Sequence, residues 1–305
     1  MRSSMPWHSL SALGRICGLL SCFIVLFFGG LGPQMAAAER MPVVVSILPE
    51  KYFVDRVGGA YTRVSVMVGP GQEPATYEPT PQQMAVLKAA RVYFRIDVRF
   101  ETVWMSRMQA VNPKMLVVDV AEGIKRRPID RAGEDATGKG TGPADPHVWN
   151  DPPLAKHIAA RIRDTLASLD PAHKSVYERN YMQLAAELDA LDAEIRKRLA
   201  PLKQRAFITF HPAWGYFADT YGLRQIPIEN EGKEPGPRTL LEVIQEARRV
   251  GIKVIFVEPQ FSRRSAEIVA HEIGGHVVAI DPLAEDYFEN MRRVAAAFAE
   301  GLETK

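Results

Sequence analysis

PLAKHIAARIRDTLASLDPAHKSVYERNYMQLAAELDALDAEIRKRLAPL, residues Pro153 to Leu202, is the stretch that organises the chain. Apolar residues recur in it at three- and four-residue spacing, the signature of amphipathic helix, and Asp170-Pro171 interrupts the run. The spacing predicts one helix over Leu154 to Leu169 and a second over Ala172 to Leu199. At 1.5 Å per residue the second would be roughly 40 Å long, enough to run along two lobes as a stiff strut.

Outward from this segment the pattern changes on both sides. Before it come short β-branched runs at Val43 to Leu48 (VVVSIL), Val64 to Val68 (VSVMV), Val92 to Ile96 (VYFRI) and Met115 to Val120 (MLVVDV), most of them separated by helical spacing. After it come Ala206 to Phe210 (AFITF), Gln225 to Ile228 (QIPI), Val254 to Val257 (VIFV) and Val277 to Ile280 (VVAI). Continuous apolar strands alternating with helices indicate buried parallel sheet. The expected fold is therefore α/β, with two similar lobes, each holding a four-stranded mainly parallel sheet, joined by a long helix. The expected division is residues 1–38 as an export signal, 39–152 as the first lobe, 153–202 as the helical connection and 203–305 as the second lobe. Asp130 to Ala144 (DRAGEDATGKGTGPA) has no large apolar residue and reads as a surface loop. The charged face of the long helix, with Glu187, Glu194, Arg196, Lys197 and Arg198, reads as solvated.

At the N-terminus, Arg2 and Arg15 precede an apolar run, Ile16 to Leu31, followed by Ala36, Ala37 and Ala38, the layout of a secretory signal with cleavage before Glu39. A retained anchor and lipidation at Cys22 in Leu19-Leu20-Ser21-Cys22 are the alternatives. The chain is 47% hydrophobic and 24% charged, a soluble globular composition. Cys17 and Cys22 are its 2 cysteines, so the exported part has neither disulfides nor thiolate ligands, and any metal there must be held by imidazole and carboxylate. Of 38 basic residues only Arg2 and Arg15 lie in the signal, leaving basic and acidic residues balanced at 36 each. Such a balance gives no case for nucleic acid as a partner.

In open α/β sheets, binding groups sit just past the carboxyl ends of strands. His211 follows AFITF, Asp281 follows VVAI, and His147 lies in ADPHVWNDP just before the first linker helix. Two imidazoles and a carboxylate suit zinc or another borderline divalent ion. Each residue alone also has an ordinary explanation, a packed histidine or a turn-forming Asp-Pro; their shared topological position is what joins them.

The segments TYEPTPQQM (Thr76 to Met84), DPHVWNDP (Asp145 to Pro152), FHPAWGYFADTYGL (Phe210 to Leu223), EPGPRTLLEVI (Glu234 to Ile244) and IDPLAEDYFENM (Ile280 to Met291) give the chain a resemblance to a known family. It resembles the periplasmic metal-binding receptors of zinc and manganese ABC transporters, the ZnuA-like group, from about Pro42 to Leu302. The resemblance implies zinc (Zn2+), with manganese (Mn2+) as the other possibility, as bound cargo. It also implies a membrane permease as partner, a monomeric receptor in the periplasm, and His147, His211 and Asp281 as ligands. One ligand does not carry over. Where the family reads P-H-x-Y-E-P, this chain has Pro74-Ala75-Thr76-Tyr77-Glu78-Pro79, and a methyl group binds no metal. Water or a carboxylate is then expected in that position, with Glu231 preferred over Glu229 and Glu73. The histidine-rich loop common in the family is also missing, because Asp130 to Ala144 has no histidine. His157, His173, His271 and His276 read as surface or capping residues.

Two other functions fit parts of this pattern. A receptor for a metal chelate or organic solute would use the room left by Ala75, with Trp149, Trp214, Tyr77 and Tyr216 beside it. A zinc hydrolase would use the open position for water, although the chain lacks H-E-x-x-H and G-x-S-x-G. The expected protein is not an enzyme.

Overall fold

The computed structural model describes residues 40–132, 143–229 and 232–303. The expected export signal, the middle of the glycine-rich loop and Glu231 lie outside the described residues.

All eight apolar runs form strands. Met41–Val45 (β1), Thr62–Val66 (β2), Val92–Arg95 (β3) and Leu116–Asp119 (β4) make one sheet, in the order β2-β1-β3-β4, with every pair parallel. Ala206–Thr209 (β5), Arg224–Pro227 (β6), Val254–Val257 (β7) and His276–Ala279 (β8) repeat the order as β6-β5-β7-β8, again all parallel. In each sheet the chain leaves the first strand to one side and later returns to the other. The crevice beyond the carboxyl ends of β1/β3, and of β5/β7, is therefore a switch point of the kind that binds ligands.

The helices are Leu48–Gly58 (α1), Pro81–Leu87 (α2), Arg99–Val111 (α3), Pro152–Leu169 (α4), Lys174–Leu199 (α5), Gly215–Tyr221 (α6), Pro237–Val250 (α7), Arg264–Ile273 (α8) and Tyr287–Leu302 (α9). Their ends follow local chemistry. Thr80 caps α2, its hydroxyl accepting from Gln83 N at 3.3 Å while the Gln83 side chain accepts from Thr80 N at 3.0 Å. Helices α6, α7 and α8 stop on Gly222, Gly251 and Gly274, at φ of 66°, 76° and 62°.

The long helix begins two residues later than expected, because Pro171–His173 form a 3-10 turn and the Tyr177 hydroxyl and His173 Nδ1 both meet the Asp170 carboxylate at 2.7 Å. Helix α5 buries Tyr177, Leu184, Leu188, Leu191, Ile195 and Leu199. Its charged face is less solvated than the sequence suggested: Glu187 pairs with Arg56 of α1 at 2.7 Å and Glu194 with Arg292 of α9 at 3.0 Å. One strut is thereby fastened to a helix from each half of the chain.

One hydrophobic core runs from the first sheet, through α4 and α5, to one face of the second sheet. Strand alternation sorts the second sheet's residues between two faces. Phe207, Val254 and Phe256 belong to this shared core, while Ala206, Ile208, Ile255 and Val257 join a separate cluster under α7 and α8. Helix α9 links the halves directly. Phe298 packs on Phe207 and Phe256 with ring centroids 4.5 and 4.7 Å apart, and Tyr287 packs on Phe53 of α1 at 4.8 Å. Glu39–Lys305 is accordingly one compact unit, and its two lobes are distinguished by their sheets.

Candidate metal centre

His147 and His211 meet although 64 residues separate them, with their Nε2 atoms 3.1 Å apart. Each ring is held from behind by a carboxylate. His147 Nδ1 is 2.8 Å from Asp145 Oδ1, which also accepts from His147 N at 2.9 Å. His211 Nδ1 is 2.6 Å from Glu229 Oε1. The His211 ring also stacks on Phe261 at 4.9 Å, and its backbone N donates to Glu258 Oε2 at 3.0 Å. The other Glu258 oxygen accepts from the Thr209 hydroxyl at 2.6 Å.

A carboxylate accepts, so each Nδ1 is the donor, and each Nε2 can turn a lone pair to an ion when its ring is neutral. Two lone pairs this close repel unless a proton or a Lewis acid lies between them. A tetrahedral zinc at about 2.0–2.1 Å from each nitrogen sets the two about 3.3 Å apart, close to what the rings adopt.

The rings differ in proton affinity. Burial lowers the pKa of His147, and the neighbouring His211 adds to this against the pull of Asp145. Burial acts in the same direction on His211, but contact with Glu229, with the fields of Glu258 and Glu73, outweighs it and raises the pKa. Burial also pushes the Glu258 carboxyl up to about 7. At Asp145 burial is outweighed by the contact with His147 and the charge of Arg127, which hold it below the usual carboxylate range.

Hydrogen bonds fasten together the three loops that carry His147, His211 and Asp281. Asn150, three residues after His147, donates from Nδ2 to Ala213 O at 2.9 Å. Trp149 donates from Nε1 to Pro282 O at 2.7 Å, and the Tyr287 hydroxyl donates to Trp149 O at 2.8 Å. The DPHVWN motif thus positions His147 and anchors its neighbours.

Asp281 sits where its loop suggested, but its carboxylate does not join the imidazoles. Its Oδ1 accepts from Gln260 Nε2 and from Leu283 N, both at 2.9 Å. Among the described residues no three His, Cys, Asp or Glu side chains converge to hold an ion. Glu231 lies outside the described residues. Glu73 folds back on its own turn, its carboxylate accepting from Ala75 N and Thr76 N, both at 2.8 Å. Glu229, weighed as a ligand from sequence, instead backs His211.

The imidazole pair opens into a cavity of about 490 Å³ whose walls include Ala75, Arg99, Trp149, Phe261 and Leu283. Trp149 lines this cavity, while Trp214 is fully buried in the core. The remaining histidines have local roles. His157 Nε2 lies 2.8 Å from Glu122 O, His173 stacks on Tyr61 at 3.8 Å, and the side chain of His271 is 89% exposed.

Sequence reasoning passed over Asp145, Glu229 and Glu258 as supports. Two signals were present: Asp145 precedes His147 by two residues, close enough to close on Nδ1, and Glu258 is the first residue past β7, the rule that picked out His211 and Asp281.

The family model for ZnuA, the periplasmic component A of the zinc-uptake complex, matches residues 43–301. The high-affinity zinc uptake system protein ZnuA of Bacillus subtilis is 26% identical, over 87% of this chain and 86% of its own length. The zinc-binding lipoprotein AdcA of Streptococcus pneumoniae is 27% identical over 88% of this chain, which spans only 55% of that longer protein. A ZnuA crystal structure superposes with a TM-score of 0.82 at 42% identity, covering 87% of this chain and all of its own. A zinc-bound ZnuA deletion mutant superposes with a TM-score of 0.81 at 41% identity, covering 88% of this chain and 100% of its own. With the family model spanning nearly all of the described fold, this chain belongs to the ZnuA family.

Proposed function

We propose that the exported protein captures a zinc ion between its lobes and delivers it to the membrane permease of an ABC transporter. The observation that carries this reading is the pair of Nε2 atoms 3.1 Å apart, each ring backed through Nδ1 by a buried carboxylate. Two imidazoles favour zinc over manganese, which prefers oxygen donors. In this reading His147 and His211 bind first. Asp281 joins by exchanging its hydrogen bond from Gln260, and Glu231 or water occupies the position that Ala75 leaves without a donor. The protein works as a monomer in the periplasm and catalyses no reaction. Glu258, whose carboxyl burial pushes up to about 7, stands behind His211 rather than on the cavity wall, and so offers no base to a zinc-bound water.

A second reading, zinc carried with a small organic co-ligand, draws on the size of the cavity and its apolar walls. Calorimetry on chelator-stripped protein tests both. Saturable binding near one zinc per chain supports capture, and no heat at micromolar zinc with folded protein refutes it. Binding that requires an added chelator favours the second reading.

A further inference from the structure

Arg127 precedes Asp145 by 18 residues, and its largely buried guanidinium meets three carboxylates. Its Nη2 is 2.9 Å from Asp130 Oδ1, its Nη1 3.2 Å from Asp145 Oδ2, and its Nε 2.9 Å from Asp219 Oδ2. The other Asp145 oxygen is the one that holds His147 at both N and Nδ1. A single buried carboxylate therefore stands between the guanidinium and the imidazole.

The surrounding groups fix this arrangement. Asp145 N donates to Arg127 O at 2.8 Å. The Tyr216 hydroxyl accepts from Arg127 N at 3.2 Å and donates to Asp145 O at 2.9 Å. Gln225 Nε2 donates to Asp130 Oδ2 at 2.8 Å, and Gln225 Oε1 accepts from Trp214 N at 2.8 Å, three residues past His211.

The guanidinium occupies space that one residue leaves open. A Cβ on Gly215 would lie 1.7 Å from Arg127 Nη1, 2.7 Å from its Cζ and 2.9 Å from Asp145 Oδ2. Any side chain there would displace the guanidinium, the carboxylate or both. The glycine of the FHPAWGYF motif thus acts through room rather than backbone strain, and the same helix α6 supplies Tyr216 and Asp219.

We propose that Arg127, seated in the gap at Gly215, is a positioning residue for zinc capture, fixing the Asp145 carboxylate and through it the ring orientation and Nδ1-protonated tautomer of His147. The inference rests on the zinc reading above. The pair with Asp219 contributes little, because that side chain is 61% exposed. The contact with Asp145 differs, because that carboxylate is fully buried and, among the described residues, its outer oxygen has the Arg127 guanidinium as its cationic partner. The three carboxylates meet three separate nitrogens of the planar fork, positions that the single nitrogen of lysine cannot occupy together, so lysine is a poor replacement.

The test measures zinc affinity by competition with a chromophoric chelator, for wild type, Arg127→Met, Arg127→Lys, Gly215→Ala and the Arg127→Met/Gly215→Ala double variant, each checked for folding by thermal melting. Arg127→Met and Gly215→Ala should each weaken zinc about ten- to a hundredfold, as removal of a ligand's support does. Arg127→Lys should fall between them and wild type. The double variant should fall well short of the sum of the two single losses, because the closest clash of the added methyl, at 1.7 Å, is with the guanidinium that Arg127→Met removes. In long-range 1H–15N spectra of the zinc-free protein, His147 should lose its single Nδ1–H tautomer in these variants while His211, backed by Glu229, keeps its own. Folded variants with zinc affinity within about twofold of wild type and an unchanged His147 signal would overturn the proposal. If Arg127→Met fails to fold, Gly215→Ala and Arg127→Lys decide it alone. Wild type that binds no zinc overturns the capture reading instead, a separate outcome.

Discussion

The carboxyl ends of β1 and β3 and those of β5 and β7 are the same place in two sheets of the same strand order, yet they hold different chemistry. In the first sheet Ser46 follows β1. Its N donates to Glu50 Oε2 at 3.0 Å, and its hydroxyl meets Tyr93 Oη at 2.7 Å and donates to the Glu101 carboxylate. Glu101 also accepts from Ile96 N at 3.0 Å and Asp97 N at 2.8 Å. Ser46, Glu50, Tyr93 and Glu101 are all fully buried, and none lines the cavity. Burial, reinforced by the charge of Glu101, holds the Glu50 carboxyl well above its usual range.

In the second sheet the crevice also holds buried carboxyls, Glu258 and Glu229, but His211 stands before them and faces the cavity. Topology supplies the location, and residue type decides whether it becomes a sealed polar plug or an open donor. The first lobe keeps its crevice closed and, with alanine at position 75, adds no imidazole from its other loop. In the proposed reading, metal capture therefore depends on the second lobe and the His147 loop.

The largest expected effect breaks the comparison outright. His211→Ala should weaken zinc by at least about a hundredfold, roughly 2.7 kcal/mol, while Ser46→Ala leaves it within about twofold, both read by chelator competition. Equal losses would mean the two crevices are equivalent after all. Next in size, Glu229→Gln keeps an acceptor for His211 Nδ1 but removes its charge, and should cost about ten- to a hundredfold in zinc affinity. Smaller still, Ala75→His should restore a first-lobe donor and tighten binding about tenfold, or 1.4 kcal/mol. A small effect there combined with weakening by Glu231→Gln would identify Glu231 as the group that completes the site.

The smallest effect on zinc belongs to Glu50→Gln, which should leave the affinity unchanged and alter stability instead. The folded pKa of Glu50 is raised above its unfolded value, so its contribution to stability is present below the unfolded pKa and is lost as pH rises through the folded one. Glutamine mimics the protonated acid and has no such dependence. The melting temperature of wild type should therefore fall relative to the variant as pH rises from the unfolded carboxyl pKa of about 4.3 through neutrality. A constant difference across that range would remove the sealed-plug account.

Most of the fold was legible because buried parallel strands are continuous apolar runs, and all eight were read from that pattern. His147 and His211 were legible because a strand end or motif loop marks a place. Direction was not legible. Nothing in PIENEGKEP says whether Glu229 points at the cargo or at His211 Nδ1, since the 18 residues between Glu229 and His211 are brought together only by the pairing of β5 with β6. Asp281 follows β8 as its sequence position indicated, but its engagement by Gln260, a tertiary hydrogen bond across 21 residues, was not legible. The pairing of Glu187 and Glu194 with α1 and α9 was hidden for the same reason: an amphipathic pattern shows a polar face but not what lies against it.

The most direct test of the account is zinc K-edge X-ray absorption on the one-to-one complex of the chelator-stripped protein. The account predicts two imidazole ligands with Zn–N distances of about 2.0–2.1 Å, the remaining donors being oxygen, and loss of one imidazole contribution in His211→Ala. A zinc environment without imidazole scattering, or one unchanged in His211→Ala, would contradict it.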